Sequence, residues 1–279
     1  MARRLGIFAG SLRGIPQIDA LPMLKEAGFN CYDTYSHTID EVGKLVEAGN
    51  AIGMPCESIH APFMTKDAYC NDMWKSGTQY IKMFNYYKQS IDSAAEFKIP
   101  SVVIHFMGNL AAPQLCDEGL NRFDKIVEYA VEKNVTIAFE NMIRIGSLAY
   151  AADRYEKIPN VRFCYDMGHA HCYSGYAYAP DIEWMDFLTD RVVTTHIHDN
   201  EGFIKDFKGE LDFHRLPFDG IMDYQKIMNK MDEYNYRGAL VLEVGGGQYP
   251  DLSPMEFAKT AFERVKRIAD MSSLDFSQE

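Results

Sequence analysis

Paired cysteines are missing from this sequence. The six that are present (Cys31, Cys56, Cys70, Cys116, Cys164 and Cys172) are scattered and none forms a C-x-x-C pair. A disulfide-stapled small fold is thereby excluded, and the thiols read as reduced cysteines of a cytosolic protein. Long apolar runs are missing too: none approaches the roughly 20 residues that span a bilayer. The opening MARRLGIFAGSLRG reaches Ser, Arg and Gly before a signal-peptide core can form, so a soluble, cytoplasmic protein without a membrane partner is expected. Positive charge is short, with Lys+Arg 28 against Asp+Glu 40 and a net charge of −12. Such a chain has no overall attraction for nucleic acid or anionic lipid. A Gly-rich phosphate turn is absent, because GSLRG at Gly10–Gly14 is not GxGxxG.

What is present is a regular alternation. With 279 residues and 47% hydrophobic composition the chain can bury a large core. A rule of roughly 150 residues per domain suggests two domains, but closed α/β barrels of about 250 residues form one. Short strand-like runs occur at Leu5–Phe8, Asn30–Tyr32, Cys56–His60, Ser101–His105, Thr136–Glu140, Val161–Asp166, Val192–His196 and Ala239–Glu243. Between them lie segments of helical period, such as Ile81, Phe84, Tyr87, Ile91, Ala94 and Leu120, Phe123, Val127, Ala130. Thr38 with Glu41, Ser76 with Gln79, and Ser253-Pro254 with Glu256 have capping-box spacing. No linker, charge block or low-complexity tract interrupts the pattern. The expected fold is α/β, a single (β/α)8 TIM barrel formed by one domain over residues 1–279, with an open doubly wound sheet as the alternative.

Six of the eight runs end in a side chain able to bind a metal: His60, His105, Glu140, Asp166, His196 and Glu243. In a barrel these ends share one rim, so residues distant in sequence converge. His169 follows in DMGH, and Asp212 and His214 form a D-x-H pair after the seventh strand. A set made only of His and carboxylates suits a divalent metal such as Zn, Mn, Co, Fe or Mg.

Taken in order, SIHAPF, VVIHF, IAFEN, DMGHAH, THIHDN, DFHRLPFDG and VLEV resemble the xylose-isomerase-like barrel superfamily. That group contains sugar and sugar-phosphate isomerases and epimerases, inosose dehydratases and endonuclease IV, and the resemblance covers nearly the whole chain. It implies that Glu140, Asp166, His196 and Glu243 are the metal quartet of the epimerase-like members, with Glu140 and Glu243 also the acid/base pair. His169 matches a residue that binds substrate in the epimerases and metal in the endonucleases. His60, His105, Asp212 and His214 match the remaining zinc ligands of the endonuclease branch and are candidate additional ligands here. Two departures stand out: GIFAGSLRG lacks the paired glycines of the endonucleases, and DNEGFIKDFKG lacks the Arg that binds substrate in some ketose epimerases.

The expected function is isomerisation or epimerisation of a small sugar or sugar phosphate. Proton removal next to a carbonyl is slow until a divalent cation stabilises the enediolate, and carboxylates on two sides can take and return the proton. A metal-dependent dehydratase, a multi-zinc phosphodiesterase and a non-catalytic sugar-binding barrel are the rivals. His169, His60, His105 and Trp184 are expected to bind substrate. Trp184 lies in an aromatic segment, CYSGYAYAPDIEW, that suits polyol stacking or contact with a second copy in a homo-oligomer. Phe63, Phe106 and Met107 are read as pocket wall or core, while Arg13, Arg144 and Arg215 are phosphate-binding candidates by location alone. His198 is expected to point away from the site or to cap its strand, with Asp199 orienting a neighbour.

Overall fold

The structure, a computed structural model, describes residues 3–177, 186, 188–206 and 211–276. Its strands are β1 (Leu5–Phe8), β2 (Cys31–Thr34), β3 (Cys56–His60), β4 (Ser101–Ile104), β5 (Thr136–Glu140), β6 (Val161–Asp166), β7 (Val192–Ile197) and β8 (Leu240–Leu242). All pair in parallel in sequence order, and β1 pairs with β8, so the sheet closes into a barrel. The open-sheet alternative is thereby excluded. The helices that bear on the argument are α1 (Gln17–Ala27), α2 (Ile39–Ala51), α3 (Tyr80–Phe97), α4 (Asp117–Glu132), α5 (Ile145–Arg154), α6 (Met167–Cys172), α7 (Ser174–Ala177), α8 (Tyr224–Glu233) and α9 (Pro254–Ala269).

Strand alternation sorts the side chains into two cores. Outward residues such as Val102, Ile104, Ile137, Phe139 and Leu242 join the large apolar layer beneath the helices. Inward ones form two small interior groups, Phe8, Cys31, Ala239, Val241 and Val103, Ala138, Cys164. Because the strand period is two, the next inward position after Val103, Ala138, Cys164 and Val241 is His105, Glu140, Asp166 and Glu243. A small interior layer thus supports the polar rim from below.

Two of the three expected helix starts are as read. The Thr38 hydroxyl accepts from Glu41 N at the start of α2, and Ser253 with Glu256 forms a reciprocal box on α9. Ser76 caps nothing: α3 begins at Tyr80 with Gln79 as its N-cap residue. The face of α3 also differs, since Ile81 is exposed while Met83, Tyr87, Ile91 and Ala94 are buried. The second strand runs later than expected, Cys31–Thr34 instead of Asn30–Tyr32, which brings Asp33 into the barrel. All six cysteines are free.

Candidate metal and active site

The strand ends deliver their side chains to one rim. His60, Glu140 and Asp166 are the last residues of β3, β5 and β6, His196 is the penultimate residue of β7, and His105 and Glu243 follow β4 and β8 directly. Register fixes their adjacency, with Glu140 beside Cys164, Asp166 beside His196, and His196 beside Val241. Asn141 ties β5 to β6: its Nδ2 donates to Asp166 O at 2.8 Å, and its Oδ1 accepts from Asp166 N at 2.7 Å.

Glu140 is the hub, and it is buried. Its Oε2 lies 3.2 Å from His60 Nε2 and 3.0 Å from His105 Nε2, and its Oε1 lies 3.2 Å from His196 Nδ1. His60 Nδ1 is occupied by the Ala61 carbonyl at 2.9 Å, which turns Nε2 toward the carboxylate. His196 Nδ1 also lies 3.3 Å from Glu243 Oε2, so it stands between the two glutamates. The ligand atoms of Glu140, Asp166, His196 and Glu243 all lie within 4.8 Å of one another.

The DMGH sequence builds a second group from a helix cap. Asp166 is the N-cap of α6, its Oδ1 accepting from His169 N at 2.6 Å, and this turn carries the His169 ring over the site. There His169 Nδ1 faces Asn141 O at 3.1 Å and Glu140 Oε1 at 3.3 Å, while Nε2 meets Asp212 Oδ2 at 3.1 Å. The loop bearing Asp212 and His214 is pinned to the end of β7 by reciprocal bonds between the main chains of Asp199 and Arg215. His214 donates through Nδ1 to Glu243 O at 2.7 Å, and its Nε2 lies 3.1 Å from Asp212 Oδ2.

His198 corrects the sequence reading. Two residues along a strand share a face, so His198 follows His196 inward and only Ile197 points to the outer core. Its Nε2 lies 3.2 Å from Asp166 Oδ1 and 3.3 Å from Asp212 Oδ1, and its ring stacks on His214 at 3.9 Å. Gly168 makes room for it, because a Cβ there would stand 2.1 Å from the His198 ring. His169, His198, Asp212 and His214 form a second set of converging ligand atoms. Asp199 does orient its surroundings: its carboxylate accepts from the main-chain N–H groups of Asn200, Phe218 and Met222, holding the LPFDG turn.

Electrostatics ties these groups together. Burial opposes ionisation of Glu140, but His196 and His105 outweigh it and hold the carboxyl well below its usual range. Glu243 is held down in the same way, burial opposing and His196 dominating. His169 and His196 are held well above the ordinary imidazole range against burial, the former chiefly by Asp166 and Asp212, the latter by Cys164, Glu243 and Glu140. Burial lowers His105 despite Glu140. His214 is raised to about 10, Asp212 overcoming burial.

The donor set fits a divalent cation. Three carboxylates and one imidazole are buried in the quartet, an arrangement that is costly unless compensated by positive charge. Asp166 Oδ2, Asp212 Oδ1 and both ring nitrogens of His198 are buried without a hydrogen bond. The 3.2–3.3 Å approaches of His198 to two aspartates therefore lack hydrogen-bond alignment, as expected of atoms aimed at a common centre.

Other expectations divide. Phe63 stacks on His105 at 4.7 Å and belongs to the site wall, whereas Phe106 packs with Trp74, Phe123 and Phe139 in the core. Met107 is buried. Arg13 bonds Pro250 O, Arg144 bonds the carbonyls of Leu110 and Pro113, and Arg215 pairs with Glu201. Trp184 lies outside the described residues.

Two site residues were missed in the sequence, Asp33 and Tyr35. Asp33 is fully buried and holds Ser58 through Oδ1 to N at 3.0 Å and Oδ2 to Oγ at 2.5 Å. Tyr35 donates its hydroxyl to Glu243 Oε1, and burial and Glu243 push its phenol upward, so it remains a donor. The signal for Asp33 was its two-residue spacing from Cys31, hidden by placing the strand too early. A cleft of about 230 Å³ at the rim is lined by Phe8, Gly10, Ser11, Tyr35, His214, Glu243, Val244 and Gly245.

A closed eight-stranded parallel barrel with His and carboxylates gathered at its C-terminal rim defines the class. The profile of the xylose isomerase-like TIM barrel family matches residues 21–268, and the chain belongs to that family. It is 29% identical over 247 residues to the uncharacterized protein y4fM of Sinorhizobium fredii, a match spanning 81% of this chain and 73% of the relative. An inosose dehydratase of Histophilus somni is 27% identical over 170 residues, and this match covers 56% of the chain and 55% of the enzyme. Among solved structures, a D-tagatose 3-epimerase-like protein superposes with a TM-score of 0.72 at 18% identity, over 96% of this chain and 98% of the other, a likeness of fold. No helix among the described residues is long and apolar enough to cross a membrane.

Proposed function

We propose that the protein is a divalent-metal-dependent isomerase or epimerase of a small sugar or sugar phosphate, with Glu140, Asp166, His196 and Glu243 holding the metal. The observation that supports this most is the convergence of these four side chains within 4.8 Å, with both glutamates flanking His196 Nδ1. When bound, a divalent cation supplies electrostatic stabilisation for charge developing on the substrate oxygens. The 230 Å³ cleft is smaller than the roughly 300–1,000 Å³ typical of drug-sized pockets, in keeping with a small substrate.

Glu243 faces the cleft and is the group that meets the substrate carbon first. Glu140 lies deeper: His60 and His105 hold its Oε2, and His196 and His105 keep it ionised. One glutamate removes the proton beside the carbonyl and the other serves the opposite step, returning it to the same or the opposite face. His169, whose Nδ1 and Nε2 meet Glu140 and Asp212, stands beside the quartet as a substrate-binding histidine in this reading. His60 and His105 contact the substrate side of Glu140, and Phe63 closes the wall beside them. Trp184 is retained as a substrate-stacking residue in this proposal.

The dehydratase relatives favour a second reading, in which the same proton is removed and a hydroxyl leaves as water. Product analysis separates the two, because an isomer keeps the substrate mass and a dehydrated product does not. Elemental analysis of protein purified without chelator tests the metal assignment. Between one and two equivalents lies the decision: one divalent ion per chain supports the reading, while two or three zinc ions would bring His60, His105, His169, Asp212 and His214 in as ligands and favour phosphate-ester hydrolysis.

A further inference from the structure

Tyr35 stands directly after β2 with 40% of its surface exposed, yet its hydroxyl reaches a carboxylate that is only 9% exposed, donating to Oε1 of Glu243. The ring is held in place from two sides. It stacks on Phe8 at 4.4 Å and 21°, and lies 5.1 Å from the His60 ring. Phe8 in turn meets His196 edge-on at 5.3 Å.

Glu243 needs such a partner. Its main chain is fixed, N–H donating to Ile197 O at 3.0 Å and the carbonyl accepting from His214 Nδ1 at 2.7 Å. Its side chain is not fixed by the sheet, because β8 has already ended at Leu242. The two carboxylate oxygens have different tasks: Oε2 faces His196 Nδ1 at 3.3 Å, whereas Oε1 is taken by Tyr35.

We propose that Tyr35 is the positioning residue of Glu243, holding one carboxylate oxygen so that the other is presented to the metal. This rests on the metal-dependent reading above. A phenol suits the task because it donates one directional bond without placing a positive charge beside a cation. Lysine would bind the same oxygen but repel the ion. The loop after β2 thereby becomes part of the site through its first side chain past the strand, and a molecule entering the cleft meets Tyr35 and Glu243 as one hydrogen-bonded unit.

The test is calorimetric titration of the metal-free full chain with Mn²⁺ alone, for the unmodified protein, Tyr35→Phe and Tyr35→Ala, with circular dichroism melts confirming that each is folded. Loss of an orienting partner typically weakens metal binding by about 10–100-fold, and at least a tenfold loss is expected for both variants, since both lack the hydroxyl. The Co²⁺ absorption spectrum is expected to change in Tyr35→Phe, which a packing role alone would not produce. Unchanged Mn²⁺ affinity in Tyr35→Phe overturns the proposal, including the case in which only Tyr35→Ala is weakened. Failure of the unmodified protein to bind Mn²⁺, Co²⁺ or Zn²⁺ overturns the metal reading itself, and the role of Tyr35 with it.

Discussion

Asp33 and His196 face each other inside the barrel, with Asp33 Oδ2 3.9 Å from His196 Nε2, the ring nitrogen turned away from Glu140 and Glu243. Burial pushes the Asp33 carboxyl up to about 7, with His196 and the bonds from Ser58 pulling the other way.

That shift predicts a pH signature in the metal-free protein. The folded state keeps a proton on Asp33 that the unfolded chain releases near 3.9, so its contribution is fully present below about 4 and is lost as pH rises through about 7. About three units correspond to roughly 4 kcal/mol. Asp33→Asn has no such proton to lose. Its stability relative to the unmodified protein is expected to rise between pH 5 and pH 8 in urea denaturation, and parallel pH dependences for the two would refute the assignment.

Metal uptake should release protons. His196 is held well above the imidazole range by Cys164, Glu243 and Glu140, against burial, so at pH 7 it carries a proton that a cation must displace. Affinity is expected to rise with pH from 6 to 8. Calorimetry in two buffers of different ionisation enthalpy will give different heats, and equal heats would rule out a ligand that is protonated beforehand.

Glu140→Gln and Glu243→Gln each remove a carboxylate without a large change in volume. A positioned acid or base contributes about 10²–10⁴-fold, and a loss of that size in sugar turnover is expected for either variant, with the fold retained by circular dichroism. Normal turnover in Glu243→Gln would mean that the cleft-facing carboxylate is not part of the chemistry.

Gly168→Ala tests the packing of α6 over His198. The added methyl would stand 2.1 Å from the ring, so the ring or the helix must shift. Overpacking of this kind costs about 1–3 kcal/mol. A lowered melting temperature is expected, together with displaced His198 ring resonances in NMR; an unchanged melt and spectrum would show that α6 packs less tightly than described.

Much of this was legible because barrel geometry converts sequence period into position. His60, His105, Glu140, Asp166, His196 and Glu243 ended apolar runs, and each sits on the rim. Asp33 escaped because its strand was begun at Asn30, one residue before the observed start, and was ended before it reached the carboxylate. His198 escaped through a mistaken phase, since it shares the inward face with His196. Tyr35 continues the two-residue spacing of Cys31 and Asp33, but its place also depends on a stack with Phe8 and a bond to a residue 208 positions away. Ile81 and Ser76 were misjudged because the start of α3 is set by tertiary packing that local spacing does not encode.

Closure of β8 against β1 has a kinetic meaning. The rim draws on segments from Asp33 to Glu243, and Glu243 arrives on a strand of three residues that pairs with both β7 and β1. Contacts so far apart in sequence form slowly because loop closure must precede their reward. The rim is accordingly complete only once β8 has paired, and a fragment that ends before residue 240 would hold all eight histidines but lack Glu243.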